Sequence, residues 1–288
     1  MDIIQRNGFY TPPAGSSSIL GLEYSGTIES FGSRAGDGWK VGDDVFGLAY
    51  GGAYAEYIAV NVRSLIRKRP SLTHEQACSL PQTWMTAMQA MHMVLNVEEG
   101  KSYLWHAGAS GVGIAGIQLA RLAGATAVYA TAGTTEKCNY VTSQIGATAT
   151  FNYKNQDWVE EVKKATDGKG ADYVFDFVGS DYFQKNLDVA AKGGSIALLA
   201  FLSGSKVPDA DLLMLLYKHL TVKGSSLRGR DLEYQCQLRD RLEKLLPAFE
   251  DGSLKIVIDK AFQWENIQDA HKYMEASSNT GKIVCTIS

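Results

Sequence analysis

The stretch Ser102-Tyr-Leu-Trp-His-Ala-Gly-Ala-Ser-Gly-Val-Gly-Ile-Ala-Gly-Ile-Gln-Leu-Ala120 opens as an apolar, β-prone run and closes with the spacing of a buried helix. Gly108, Gly111 and Gly113 lie at the turn between the two. A pyrophosphate needs this setting. Glycine lets the backbone approach closely, while the first-turn N–H groups and the helix dipole form a positive pocket. The spacing is Gly-x-x-Gly-x-Gly rather than Gly-x-Gly-x-x-Gly, so its position between strand and helix carries the reading. A glycine-rich turn at a tight helix–sheet contact is the plainer alternative, with Gly116 and Gly124 serving packing alone. Ser110 fits a helix N-cap, and its hydroxyl also fits a phosphate or substrate donor; the two roles are compatible.

On both sides of this stretch, from about residue 83 to 228, apolar runs of strand length alternate with amphipathic helices. Strands are expected at 102–106, 127–131, 148–151, 173–178, 195–201 and 220–225. Helices are expected to start near Gly111, Thr135, Asp157, Asp181 and Asp209, several behind Asp or Thr caps. The result is an α/β fold, a doubly wound parallel sheet of the Rossmann kind buried on both faces. Residues 1–82 read as an irregular β-rich domain, with extended runs at 26–31, 44–48 and 55–60. After Arg230 come a charged helix to about Glu250, an extended run at 255–260, a helix around 267–276 and a last strand at 282–287. This tail breaks the rhythm. The expected organisation is therefore 1–82 and 230–288 forming one domain, interrupted by a cofactor domain at 83–229.

The end of the second strand bears on the cofactor. NAD enzymes usually place an Asp or Glu there for the ribose hydroxyls. This chain reads Ala130-Thr-Ala-Gly-Thr-Thr-Glu-Lys137, which puts Gly133 at that point. Glycine leaves room for a 2′-phosphate, Lys137 supplies charge, and Thr134 and Thr135 supply donors, so NADPH is favoured. Glu136 offers a competing partner for a lysine or for the ribose, and Lys137 by itself also fits an ordinary solvated helix residue.

The 288 residues are 45% hydrophobic and carry a formal charge of −3, with no footprint for nucleic acid or an anionic membrane. Cys78, Cys138, Cys236 and Cys285 form no C-x-x-C pair, and they read as reduced core thiols. The opening residues lack a signal-peptide pattern and no stretch is long enough to span a bilayer, so a cytoplasmic protein with a small-molecule partner is expected.

Further motifs run along the whole chain. They are Gln5-Arg-x-Gly-x-Tyr10 with Pro12-Pro13, Gly21-Leu-Glu-Tyr-Ser-Gly26, Gly42-Asp-Asp-Val45, Gly52-Ala-Tyr-Ala-Glu-Tyr57 and Leu80-Pro-x-Thr-Trp-x-Thr-Ala87. His106 to Gly113, Phe151-Asn-Tyr-Lys154, Asp176-Phe-Val-Gly179 and Gly281-Lys-Ile-Val284 complete the order, and taken together the motifs resemble the zinc-independent quinone oxidoreductase (zeta-crystallin-like) branch of the medium-chain dehydrogenase/reductase family. The resemblance implies a GroES-like catalytic domain beside the Rossmann domain, with the nicotinamide in the cleft between them. By matching position it puts Thr86 beside the nicotinamide and Gly108, Ser110, Gly111, Val112 and Gly113 on the pyrophosphate. Gly133, Lys137 and Tyr153 go to the adenosine phosphate, and Val178, Ala200, Phe201, Ser226 and Leu227 to the ribose and carboxamide. Ordinary roles stand beside these: Thr86 as a helix back-bonder, Tyr153 as strand-end packing, and Val178, Phe201 and Leu227 as core.

Zinc-dependent relatives carry Gly-His-Glu and a four-cysteine lobe, whereas this chain reads Gly21-Leu22-Glu23 without a cysteine cluster, so no metal is implied. Hydride transfer to an electron-poor acceptor needs no Lewis acid. The implied enzyme is an NADPH-dependent quinone reductase in which Tyr10 and Ser110 are catalytic, orienting the acceptor oxygen. Reduction of an enone or 2-enoyl thioester is the alternative, and a cofactor-binding structural or regulatory protein a second. The resemblance further implies a homodimer joined through the edge of the cofactor-domain sheet, here 195–201, although an apolar strand there also fits a buried position. Family members also begin with strands upstream of Asp2-Ile-Ile-Gln-Arg6, which implies an incomplete catalytic domain here, lower stability and activity in question.

Overall fold

The computed structural model describes residues 1–33 and 38–287 and divides them into two units: Met1–Met85 with Leu227 onward, and Thr86–Ser226. In the second unit, six strands form one parallel sheet: β4 (Ser102–Trp105), β5 (Ala127–Ala132), β6 (Ala149–Asn152), β7 (Ala171–Asp176), β8 (Ala190–Leu198) and β9 (Thr221–Gly224). Their spatial order, β6-β5-β4-β7-β8-β9, is that of a dinucleotide-binding sheet. The order reverses between β4 and β7, so the turn after β4 opens at the switch point where such sheets take ligands.

Helices α4 (Gly111–Leu122), α5 (Thr135–Tyr140), α6 (Trp158–Ala165) and α7 (Ser180–Val189) make the crossovers. Three of the four start on side-chain caps: Ser110, Thr134 and Asp157 each accept a first-turn N–H. Strands β4, β5 and β7 are buried along most of their length, and Leu104, Val174, Leu187 and Ile196 are fully enclosed. The Trp105 and Phe175 rings stack 3.9 Å apart on neighbouring strands. Gly116 serves packing, as the plainer reading of that glycine has it. A Cβ there would stand 2.4 Å from the Trp105 ring, so only glycine lets α4 lie this close to β4.

Two expectations need correction here. The run 195–201 is not the sheet edge, since β8 bonds to β7 on one side and β9 on the other. Its apolar content reflects that interior position, and β9 is the edge on that side, β6 on the other. The crossover helix expected from Asp209 is a short α8 (Leu213–Tyr217), with Asp209 itself at a positive φ of 52°.

In the first unit, β1 (Glu23–Thr27), β2 (Asp44–Leu48) and β3 (Leu65–Arg67) form an antiparallel sheet, while β10 (Ile258–Gln263) and β11 (Lys282–Thr286) pair in parallel. Helix α9 (Leu232–Glu250) is capped by Asp231 and buries Leu238, Leu242 and Leu246, four residues apart on one face. Short helices α1 (Asp2–Arg6) and α2 (His74–Cys78), then α3 (Pro81–Met88) and α10 (Ile267–Glu275), are the remaining α-helices of the described residues. The 55–60 run does not form a strand. The main-chain bonds Ala53 N to Gly21 O and Tyr54 N to Leu20 O end just before it, and without a ladder an alternating pattern alone makes no strand. The three-residue β3 was too short to show a period.

Candidate functional site

Gly108 follows β4 and its N–H bonds to the Thr131 carbonyl at 2.8 Å. Ala107 before it takes a left-handed φ of 49°, which turns the chain sharply back toward α4. The Ser110 hydroxyl oxygen caps the helix by accepting the Gly113 N–H at 3.1 Å. Gly113 has a steric reason: a Cβ would lie 2.4 Å from the Ala107 carbonyl oxygen and 2.7 Å from Gly108 Cα. The loop therefore rests directly on the first helical turn. Gly111 and Val112 stay partly exposed, and their N–H groups have no acceptor within the helix. Two outward-facing donors at the positive end of a 12-residue helix suit a pyrophosphate.

Gly133, after β5, lies under Tyr153, and a Cβ there would stand 2.8 Å from the phenol oxygen. The Tyr153 N–H bonds to the Ala132 carbonyl at 3.1 Å, which fixes the approach, and the side chain is 45% exposed. Lys137 lies in α5, half-buried, its N–H on the Thr134 cap. The structure thus gathers Gly133 and Tyr153 at one strand end, with Lys137 one turn into the helix that follows. A phosphate fits donors of this kind, and no carboxylate ends β5.

Val178 and Gly179 form the turn after β7, where Asp176 accepts both N–H groups. A Cβ on Gly179 would meet Phe201 and the Gly204 carbonyl oxygen, so the turn packs on the loop after β8 that carries Ala200 and Phe201. Phe201 is half exposed rather than core. Thr86 lies in α3 and Ser226 is exposed at the end of its unit. Leu227 begins the other unit as a buried residue, and its carbonyl accepts from Gln235.

Beneath these turns lies a polar chain that the sequence reading did not single out. His106 is fully buried, with Nδ1 3.0 Å from Thr131 Oγ1 and Nε2 2.7 Å from Asn186 Oδ1. Asn186 Nδ2 donates to Asp176 Oδ2 at 3.0 Å. The Trp158 and Tyr182 rings meet the imidazole edge-on at 4.8 and 4.7 Å. Burial pulls His106 down to about 4. Burial also pushes Asp176 up to about 6, against the N–H groups of Val178 and Gly179 and the Asn186 amide. The available signal was a polar residue at the end of each of three apolar strands.

In the first unit, the motif residues Gln5 and Tyr10 meet at Arg228. The guanidinium donates to Gln5 Oε1 and to the Tyr50 carbonyl, and its Cζ stands 5.3 Å from the Tyr10 ring centroid. Arg228 is 4% exposed, and burial lowers its pKa. Tyr10 is half-buried, and among the described residues no hydrogen bond holds its hydroxyl. Glu23, of the Gly21-Leu-Glu element, accepts the Gln82 N–H at 2.8 Å and pairs with Lys282, of the closing Gly-Lys element. Arg228 and this ion pair were also missed, because their partners are hundreds of residues apart in sequence.

The family model described as an alcohol dehydrogenase GroES-like domain matches residues 1–70, and that described as a zinc-binding dehydrogenase matches residues 111–244. Among the described residues no three or more His, Cys, Asp or Glu side chains gather to hold a metal ion. No helix of the described residues is long and apolar enough to cross a membrane. The quinone oxidoreductase-like protein 2 homolog of Nematostella vectensis is 30% identical over 286 residues, covering 98% of this chain and 77% of that protein. Quinone oxidoreductase of Escherichia coli, solved in complex with NADPH, aligns with a TM-score of 0.86 at 27% identity, over 99% of this chain and 86% of that one. The CurK enoyl reductase aligns with a TM-score of 0.81 at 26% identity, over 100% and 87%.

Proposed function

Because the chain belongs to the zinc-independent quinone oxidoreductase family of medium-chain dehydrogenases/reductases, we propose that it is an oxidoreductase that binds NADPH and reduces quinones without a metal. The observation that carries the cofactor assignment is the pairing of the α4 cradle with a β5 end that presents Gly133 under Tyr153 in place of a carboxylate. Gly111, Val112 and Gly113 would hold the pyrophosphate, and Gly133, Lys137 and Tyr153 the adenosine phosphate. Thr86, Val178, Ala200, Phe201, Ser226 and Leu227 are proposed for the nicotinamide half. When bound, the cofactor supplies a hydride to an electron-poor acceptor. Introducing aspartate at Gly133 places a carboxylate where the 2′-phosphate would lie and forces Tyr153 aside. Fluorescence titration of Gly133→Asp is expected to show NADPH affinity lowered about a hundredfold and NADH affinity changed far less.

Ser110 spends one lone pair on the Gly113 N–H and keeps its hydroxyl proton for an acceptor oxygen. Tyr10, its ring held by the Arg228 guanidinium, keeps its hydroxyl for the same use. Each is therefore assigned to orient the acceptor oxygen. Tyr10→Phe and Ser110→Ala are each expected to lower kcat/KM for an ortho-quinone by roughly tenfold to a hundredfold. Unchanged kcat/KM in both variants would remove these residues from the mechanism. A second reading, reduction of an enone or 2-enoyl thioester, is favoured by the likeness to the CurK enoyl reductase. NADPH oxidation assayed with quinones beside enoyl thioesters decides between the two, and binding without turnover of either would reject both.

We also propose a homodimer joined at β9. This edge strand follows the segment that carries Leu212, Leu216 and Tyr217, which are 56, 70 and 62% exposed. Light scattering is expected to give twice the chain mass of 31.3 kDa, falling to the single-chain mass in Leu216→Asp.

A further inference from the structure

We propose that Thr131, His106, Asn186 and Asp176 form a buried hydrogen-bond relay with a single direction, and that His106, Asn186 and Asp176 are positioning residues for NADPH. The proposal rests on the cofactor reading above. Its geometry stands within one unit of the chain.

The direction follows from donor and acceptor counting. An ionised Asp176 only accepts, and it takes the Val178 N–H at 2.7 Å, the Gly179 N–H at 3.2 Å and one Asn186 amide hydrogen at 3.0 Å. The Asn186 amide must then turn its oxygen to His106 Nε2, 2.7 Å away, so that nitrogen carries the imidazole proton. The neutral ring is left with Nδ1 as an acceptor, and the Thr131 hydroxyl donates to it at 3.0 Å. Each link fixes the next. Reversing any one of them leaves two donors or two acceptors face to face in a site enclosed by Trp158 and Tyr182.

Its placement gives the relay a function. Thr131 precedes Ala132-Gly133 at the end of β5, His106 precedes Ala107-Gly108 after β4, and Asp176 ends β7 just before Val178-Gly179. These are the three points where the chain leaves the sheet to form the cofactor turns. Asn186 reaches up from α7 to tie the β4 end to the β7 end. The relay therefore sets the spacing of the pyrophosphate, adenosine and nicotinamide turns from beneath, without touching the cofactor.

The test uses a swap. Asp176→Asn keeps shape and an oxygen for the Val178 N–H, yet presents an amide hydrogen to the Asn186 amide. The clash is relieved only if Asn186 turns over, His106 moves its proton to Nδ1 and Thr131 becomes the acceptor. Long-range proton–nitrogen NMR of the histidine-labelled protein reads that tautomer without cofactor, and fluorescence titration reads the NADPH Kd. The wild type is expected to show the Nε2–H form at neutral pH, and Asp176→Asn the Nδ1–H form with a Kd raised roughly tenfold or more.

Adding Asn186→Asp to Asp176→Asn restores the original polarity, and is expected to bring back both the Nε2–H tautomer and near wild-type Kd. A purely structural role predicts no such rescue of affinity. If Asp176→Asn does not fold, the double variant alone still decides: Nε2–H with restored Kd supports the relay, and weak binding overturns it. A wild-type Nδ1–H or charged ring overturns the relay. A reversed tautomer with unchanged Kd overturns the positioning role. Failure of the wild type to bind NADPH overturns the cofactor reading instead, while the tautomer still tests the relay's direction.

Discussion

Replacing Gly113 by alanine is expected to weaken NADPH binding by about a hundredfold and to destabilise the protein by about 2 kcal/mol. Helix propensity predicts the opposite sign, since alanine inside a helix is favoured over glycine by about 1 kcal/mol. Sterics override propensity here. The new methyl would lie 2.4 Å from the Ala107 carbonyl oxygen and 2.7 Å from Gly108 Cα, and both are backbone atoms without a rotamer to yield. The loop must lift from the helix, which stretches the Ser110 cap on Gly113 and turns the Gly111 and Val112 N–H groups off their aim. Gly26→Ala is the control, because a Cβ at Gly26 meets nothing within 4 Å and the residue has no positive φ. Its melting temperature is expected to stay near that of the wild type. A Gly113→Ala protein that binds NADPH normally would show that the loop does not form the phosphate cradle.

The same loop marks how far the sequence could be read. The strands of the sheet and the starts of its main helices were legible because parallel strands buried on both faces are continuous apolar runs, and because Ser110, Thr134 and Asp157 are side-chain caps. The 55–60 run misled because alternation reports a face, whereas a strand also needs a partner. Strand β8 left edge and interior both open because an apolar run does not say how many neighbours it has, and its two ladders decide for the interior. Among site residues, the glycines were legible from spacing. Tyr153 over Gly133 needed the register of β5 with β6, in which Ala132 lies opposite Asn152. Arg228 with Gln5 and Tyr10 needed contacts across 223 residues of chain. The buried relay was hidden for another reason. Histidine, threonine and aspartate are unremarkable as letters, and only their burial at three adjacent strand ends, with Asn186 reaching across from α7, makes them a unit.

That burial gives the second large prediction, a pair of opposed pH dependences that cancel in the wild type. Asp176 titrates at about 6 in the fold against 3.8 for a free carboxyl, so the fold holds this proton more tightly. Its contribution to stability is greatest below pH 3.8 and is lost as pH rises through about 6, by about 3 kcal/mol in total. His106 titrates at about 4 against 6.5, so its contribution is present above 6.5 and lost as pH falls toward 4, again by about 3 kcal/mol. Between these limits, the unfolded chain keeps the proton on histidine and the folded chain keeps it on aspartate. The number bound is the same, so the two slopes offset each other. Removing one partner should uncover the other. Relative to wild type, the unfolding free energy of Asp176→Asn is expected to rise with pH from about 4 to 6, and that of His106→Gln to fall with pH over about 4 to 6.5. Taking each variant as a difference from wild type removes the carboxylates common to both. Denaturant melts at a series of pH values read both curves. Two flat difference curves would mean that neither group holds its proton differently in the fold, and that the strand ends are wetter than their geometry requires.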